Sequence, residues 1–447
     1  MKIMQLGCMG RDAAAAEKFL EHGHEVYPVG EYLNPSLVEA AERSGGKFYQ
    51  IEDACDGQAV ADCVKDAGVD MFYTNSDSAL AAGVVDVVTT QNPEVLMPSP
   101  DKEASRIEWD KVYARELIDA VGEKYNPLYI PANNKDALDE AIEIFQETET
   151  EVVVKPIGLT GGKGVKVMGP HLRDYIEAKN YALEVINDPN QEGVVIEEKM
   201  QGQEFTVQAY TDGRSLIVPP LTYDYPYRED GDKGPGTGGM GCFTMGPQGN
   251  LPFLGDKDLK EAEKLMNKVL ERLEDDWRDF KGTLYGSFFK TDKGLKVVEF
   301  NSRIGDPEGI SIVELLEDDV DLAHVLEKIA TGDLDERHLR FKNMASTVIY
   351  LVSPQYAYKE GGPYKFQVDV DAIEDNDCRA YHVASEQVEK GMFKTVGTSR
   401  TLAISALGFS PWEAREKVLD AIDEGVSGPL QFRNDIGDRH YIKNLKK

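Results

Sequence analysis

The chain has 447 residues, of which 41% are hydrophobic, and a formal net charge of −31. That length exceeds one ordinary domain and suggests about two to four, with apolar content sufficient for a sizeable core. No apolar run approaches the roughly 18 residues of a membrane span, and no basic face is visible that could neutralise nucleic-acid phosphates.

The first hundred residues alternate short apolar strands with helical stretches, the pattern of a parallel α/β fold. Strands are expected over 2–7 (KIMQLG), 24–30, 71–77 and 95–100, with an amphipathic helix over 11–23 that ends at glycine. A second block, 101–334, opens with a helix over 111–121. It continues through a strand EVVVKPIG, a glycine loop LTGGKGVKV, and strands VVIEEKM and EFTVQAYTDG. A glycine-rich stretch, DGDKGPGTGGMG, precedes a charged helix over 256–274, then LYGSFFKT and VVEFNSR. The remainder, 335–447, reads as a smaller mixed α/β unit with strands at ASTVIYLVS and TLAISALG and a helix over 411–424. The start, MKIMQLGCMGRDA, lacks a cleavable leader pattern. The cysteines Cys8, Cys55, Cys63, Cys242 and Cys378 form no CxxC pair, which fits small core residues in a reducing cytoplasm.

VVEFNSRIGDPEG, 297–309, carries the most chemistry. Side chains alternate along a strand, so Glu299, Asn301 and Arg303 should face one way and Val298 and Phe300 the core. Glu299 and Asn301 are oxygen donors suited to Mg²⁺ or Mn²⁺, and Arg303 can fork onto a phosphate or carboxylate. Lys155, inside the run VVVK, would be buried unpaired unless it meets an anion. The loop with Gly161, Gly162 and Lys163 could bring backbone N–H groups and an ammonium to a polyphosphate, although it is not the GxxxxGK[ST] loop. In VVIEEKMQGQE, backbone near Glu197 and Met200 could pair with a base, and Glu204 could accept from ribose hydroxyls. The loop DGDKGPGTGGMG should take positive φ at several glycines and approach a ligand closely. A dinucleotide oxidoreductase is disfavoured, because only Gly7 and Gly10 stand where GxGxxG is needed.

In this order and spacing, VVVKPIGLTGGKGV, VVIEEKMQGQEF, DGDKGPGTGGMG and VVEFNSRIGDPE resemble the ATP-grasp superfamily, and within it the phosphoribosylamine–glycine ligases. The segments AGVVDVV, AYHVAS, RTLAISALG and RNDIG extend the resemblance over essentially the whole chain. It implies a Rossmann-like pre-ATP-grasp domain (1–100), a two-part ATP-grasp unit (101–334, with a flap near 120–195) and a C-terminal mixed α/β cap (335–447). It implies phosphate contacts at Lys111 and Lys155, adenosine contacts at Glu197, Met200 and Glu204, and metal ligands at Glu299 and Asn301. Arg303 and Lys155 are the implied catalytic groups. Substrate contacts are expected at Asp77, Asp224, Arg228, Thr237, Gly238, Gly239, Met240, Arg303, Asp306 and Arg400. A further acidic metal ligand found in some ATP-grasp enzymes would fall at Phe289.

The chain departs from the family pattern where the amine should sit. The usual GGGGREHA is GCMGRDAA, so Glu–His becomes Asp12–Ala13. The usual GPE turn is Asn75-Ser76-Asp77, DHKR is Asp224-Tyr225-Pro226-Tyr227 with Arg228 one place later, and the Asn of GPNTGG is Gly236. Arg400 and Arg433 remain as phosphate-binding candidates. The implied activity is ligation of glycine to phosphoribosylamine through an acyl phosphate at the expense of ATP. A sister ligase with another carboxylate or amine and a non-catalytic ATP binder are the alternatives. Partners are expected to be small molecules, with no nucleic acid and no membrane, and the protein a cytoplasmic monomer or small homo-oligomer.

Overall fold

A computed structural model describes residues 1–160, 164–246, 249–276 and 279–445. The N-terminal sheet holds β1 (Lys2–Leu6), β2 (Glu25–Gly30), β3 (Tyr49–Gln50) and β4 (Met71–Thr74) in the order β3-β2-β1-β4, all parallel. This is the order of half a doubly wound fold. Helix Gly10–Glu21 begins directly after the turn that follows β1. The strand expected over 71–77 stops at Thr74, because Ser76 accepts a hydrogen bond from the Ala79 N–H and caps helix Asp77–Ala82. The strand expected over 95–100 reduces to one bridge, Met71 to Leu96. Pro98 and Pro100 have no N–H with which to continue the ladder.

A flap follows, built from β5 (Tyr129–Ala132), β6 (Val152–Pro156), β7 (Lys166–Val167) and β8 (Val194–Glu198) in the antiparallel order β5-β8-β6-β7. Helices Lys135–Glu147 and Tyr175–Ile186 close a separate small core around Leu138, Phe145, Val154 and Ile196.

The chain then runs through β9 (Gln203–Thr211), β10 (Leu216–Ile217), β11 (Thr222–Asp224), the hairpin β12 (Tyr227–Glu229) and β13 (Lys233–Gly236), and β14 (Gly241–Thr244). The glycine-rich stretch is therefore folded, and Gly231, Gly234 and Gly239 take positive φ, as expected. Helix Asp256–Asp275 leads to the long hairpin β15 (Gly282–Thr291) and β16 (Gly294–Asn301). The central sheet has the order β10-β9-β15-β16. The C-terminal part contributes β17 (Ala345–Leu351), β18 (Lys365–Val368), β19 (Cys378–His382), β20 (Ser385–Glu389), β21 (Met392–Thr395), β22 (Leu402–Gly408) and β23 (Val426–Ser427).

One five-stranded sheet, β11-β14-β17-β22-β19, crosses the boundary expected near residue 334. β14 pairs antiparallel with β17, Cys242 opposite Val348, so the central and C-terminal parts share a sheet and one continuous core. Cys8, Cys242 and Cys378 are buried in that core.

His382, at the end of β19, is buried against Phe393, with ring centroids 4.1 Å apart, and its Nδ1 lies 2.9 Å from Ser385 Oγ. Burial pulls its pKa from an ordinary 6.5 down to about 3. Above the unfolded value both states hold it neutral. As pH falls between those two values only the unfolded chain binds the proton, so stability drops by up to about 1.4 kcal/mol per pH unit. Urea unfolding should show a shallower loss of stability from about pH 7 to about pH 5.5 in His382→Gln than in the wild type; equal slopes would contradict this assignment.

Candidate active site

The register of the central sheet decides which side chains meet. Ser287 lies opposite both Thr206 and Glu299, and Tyr285 lies opposite Gln208 and Asn301. Alternation then places Glu204, Thr206, Tyr285, Ser287, Glu299 and Asn301 on one face, with Phe205, Val207, Phe288 and Phe300 buried on the other. A β-bulge between Ser287 and Phe288 interrupts the pairing, and Val298 is the extra residue. Its consequence corrects the simple alternation. Val297, not Val298, is fully buried, and Val298 is half-buried beside Glu299. The bulge also shifts the partner strand. Phe289 faces Lys296, and the residue across from Glu299 is Ser287, whose hydroxyl donates to Glu204 Oε1 at 2.8 Å.

Opposite this face stand the two expected lysines. Lys111 opens helix Lys111–Gly122, which Asp110 caps, and its Nζ donates to the Gly158 carbonyl at 3.0 Å. Burial pulls the Lys111 ammonium below its usual value, against the attraction of Glu299, and Lys155 adds repulsion. Lys155, on β6, is buried and pairs with Glu197 Oε2 at 2.9 Å while donating to the Val298 carbonyl at 3.1 Å. Arg115, one helical turn beyond Lys111, completes the group. It forks onto Glu197 with two 2.8 Å bonds and donates to the carbonyls of Val297 and Val298 at 2.9 and 2.8 Å. Burial alone would raise the Glu197 carboxyl; Arg115 and then Lys155 hold it below its usual range. The Glu197 side chain is thus committed to cations. Met200 follows the end of β8, half-buried. Gly161, Gly162 and Lys163 lie outside the described residues.

Arg303 lies beyond the end of β16. Its guanidinium forms an ion pair with Glu108, Nε 3.1 Å from Oε1, and Glu108 accepts the Ser302 N–H and hydroxyl at 2.8 and 2.7 Å. Asp77 contributes negative potential to the same spot. Arg11 ties this turn to the N-terminal sheet, donating to the carbonyls of Ile304 (2.8 Å) and Asn75 (2.5 Å).

The glycine-rich loop returns beside the turn. Arg400 is buried, pairs with Asp306 Oδ2 at 3.0 Å, donates to the carbonyls of Gly238, Gly239 and Asp306, and stacks 4.7 Å over Tyr350. Its guanidinium is therefore already engaged by protein groups and acts as a clamp. Thr237 Oγ1 donates to the Pro226 carbonyl and accepts from the Gly239 N–H. Gly239 must be glycine: φ is +99°, and a Cβ would stand 2.6 Å from Asp224 Oδ1. Met240 is fully buried and hydrogen-bonded through its backbone to Tyr225 and Tyr350, so its side chain belongs to the core.

A cleft of about 330 Å³ opens over β9 and β15, with Glu204, Asp224, Tyr227, Asp232 and Tyr285 among its lining. Burial drives the Asp224 carboxyl well above its usual range, and Glu308 pushes it further. Burial likewise raises Glu204, where Glu299 adds repulsion, and Glu308, whose carboxylate accepts the Tyr285 hydroxyl at 3.1 Å. The altered family positions divide. Pro226 and Tyr227 line this cleft. Asp12, Ala13 and Tyr225 are buried elsewhere, with Asp12 accepting the Met9 N–H. Arg228 is the neighbour of Tyr227 on a strand, so it faces the other way, into a separate groove with Lys233 and Gln431. Its NH2 donates to Gln431 at 2.8 Å.

Arg115, Glu108, Arg11 and Glu308 escaped the sequence reading. The spacing of Arg115 four residues after Lys111 was a usable sign, because i and i+4 share a helix face. Removing Arg115 would leave Glu197 buried with Lys155 alone. Arg115→Ala should cost about 3–5 kcal/mol in urea unfolding, the usual loss for a broken buried pair. A loss below about 1 kcal/mol would show that the network contributes little.

A sequence model described as the ATP-grasp (A) domain of phosphoribosylglycinamide synthetase matches residues 109–309. The chain is 35% identical to phosphoribosylamine–glycine ligase of Methanopyrus kandleri, over 99% of this chain and 97% of that protein. It is 33% identical to the Pyrococcus furiosus protein of the same name, over 100% and 97%. The crystal structure of phosphoribosylamine–glycine ligase from Thermotoga maritima superposes with a TM-score of 0.80 at 23% identity, covering 97% of this chain and 100% of that one. With full-length identity at this level, and the ATP-grasp layout already evident in the fold, the chain belongs to the phosphoribosylamine–glycine ligase family.

Proposed function

We propose that this chain is an ATP-dependent ligase that joins glycine to phosphoribosylamine in purine synthesis, releasing ADP and phosphate. The observation that carries the reading is the full-length identity to ligases of that name, in a chain whose fold sets Glu299 and Asn301 across from Lys111 and Lys155. In the first step a glycine carboxylate oxygen attacks the γ-phosphorus of ATP. The bond to the β–γ bridging oxygen breaks, ADP leaves, and an acyl phosphate forms. In the second step the amine nitrogen attacks the acyl carbon, the bond to phosphate oxygen breaks, and the nitrogen gives up its proton.

No protein nucleophile is needed; catalysis rests on positioning and charge neutralisation. Lys155 and Lys111 supply ammonium groups toward the phosphates, and Arg303, oriented by Glu108, supplies a guanidinium beside the reacting carboxylate. Glu299 and Asn301 are oxygen donors on one sheet face and suit Mg²⁺ or Mn²⁺. When bound, such an ion neutralises phosphate charge. The substrates are small molecules, and we place the enzyme in the cytoplasm as a monomer or small homo-oligomer.

ADP release with Mg·ATP, glycine and freshly made phosphoribosylamine tests the reading directly. Release that requires both co-substrates supports it; release only with another amine would assign a sister ligase. Glu299→Gln and Asn301→Ala should each abolish turnover while the far-UV circular dichroism stays that of the wild type. Turnover like wild type at limiting Mg²⁺ in both variants would remove the metal assignment. Lys155→Ala should raise the KM for ATP and lower kcat together, since its ammonium acts in ground and transition states alike. Unchanged ATP binding by calorimetry would make Lys155 a purely structural partner of Glu197.

A further inference from the structure

The chemistry above leaves residues 433–445 without a role, although they are tied closely to the substrate cleft. Arg433 is fully buried. It donates to the Tyr227 carbonyl at 2.9 Å, pairs with Asp232 at 3.0 Å and Asp435 at 2.6 Å, and lies 4.8 Å over the Tyr225 ring. The Gly231 N–H donates to Asp435 and the Asn434 N–H to Asp230, both at 2.8 Å. The Tyr441 hydroxyl donates to Asp232 Oδ2 at 2.6 Å, and its ring packs 5.1 Å from Tyr225. Further along, the Leu445 carbonyl accepts from Gln203.

These bonds converge on one residue. Asp232 has φ +57°, a backbone region that residues with a Cβ seldom occupy, and both its carboxylate oxygens are held from the 433–445 segment. Asp232, Tyr227 and Leu445 all line the cleft that also contains Glu204, Asp224 and Tyr285. The hairpin wall of the cleft is therefore fixed by the segment behind it.

The geometry points to residues 433–445 as a strap that holds the Tyr227–Asp232 hairpin in place as a wall for the hydroxyl-rich amine substrate, with Arg433 and Tyr441 as positioning residues. The assignment of that substrate rests on the ligase reading above. Two features of the cleft favour it over glycine. A space of about 330 Å³ is on the scale of a drug-sized ligand rather than an amino acid of five heavy atoms. Its described lining offers carboxylates, hydroxyls and aromatic rings and no Lys or Arg, which suits a sugar amine's hydroxyls and nitrogen, with the sugar's phosphate held outside this lining.

Tyr441→Phe removes one hydroxyl and keeps the packed ring; Arg433→Ala, at a fully buried site, is the severe companion. In the full-length protein, ribose 5-phosphate (the sugar fragment of the substrate) and Mg·ADP are titrated by calorimetry, and hydrogen exchange follows the Gly231 and Asn434 amides. Tyr441→Phe is expected to raise the Kd for ribose 5-phosphate about fivefold or more, leave that for Mg·ADP within about twofold, and speed both amides. Unchanged ribose 5-phosphate affinity, equal losses for both ligands, or a wild type that does not bind the sugar phosphate would each overturn the strap. A wild type that binds ribose 5-phosphate and shows the predicted variant effects, yet releases no ADP with glycine and phosphoribosylamine, would refute the ligase reading and leave the strap standing.

Discussion

The site depends on one buried ion network, Arg115–Glu197–Lys155. Glu197 belongs to the flap and Arg115 to the helix leading into it; on the central sheet Arg115 also reaches the carbonyls of Val297 and Val298, and Lys155 that of Val298. Three charges out of water would each be costly alone; together, with their remaining donors satisfied by backbone, they are tolerable. The arrangement locks the flap strand to β16, the strand that carries Glu299 and Asn301. Lys155 is therefore held in place relative to the strand that carries Glu299, and the charges of this network are preorganised by the fold.

The same two carbonyls are available because β16 is bulged. Successive carbonyls of a regular strand point to opposite sides, so an unbroken β16, at the edge of its sheet, would turn only one of the two away from β15. The extra residue lets both reach Arg115 and that of Val298 also reach Lys155, and Ser287 lies opposite Glu299. A local irregularity in hydrogen bonding thus contributes to the anchoring of the flap.

Around this centre the remaining cations are mostly engaged in holding the protein together. Arg11 fastens the N-terminal sheet to the GDPE turn, Arg400 fastens the glycine-rich loop to the same turn, and Arg433 fastens the hairpin to the C-terminal segment. In a chain with a net charge of −31, such buried guanidinium groups are the structural joints between parts, while the cleft they surround is lined by acids, hydroxyls and aromatic rings. The forked geometry of arginine suits this role, because one side chain can bond several carbonyls and a carboxylate at once.

The sequence by itself determined the layered α/β architecture, the strand carrying Glu299 and Asn301, the lysine strand and a glycine-rich loop with several positive φ values. Those features are local: alternation, a short run of β-branched residues, or a backbone that only glycine can adopt, each written within a few neighbouring residues. Tertiary structure alone decided that Val297 replaces Val298 in the core, that Tyr227 faces the cleft while Arg228 faces away, and that Arg400 pairs with Asp306 and Arg433 with Asp232 and Asp435. It also decided that β11 and β14 join the C-terminal sheet. Each of these outcomes turns on register or on a contact between residues far apart in the chain, such as Arg433 with Asp232 or Arg115 with Val298. A one-residue shift in strand pairing moves a side chain to the opposite face, and the partner strand that sets the shift is invisible to the local pattern.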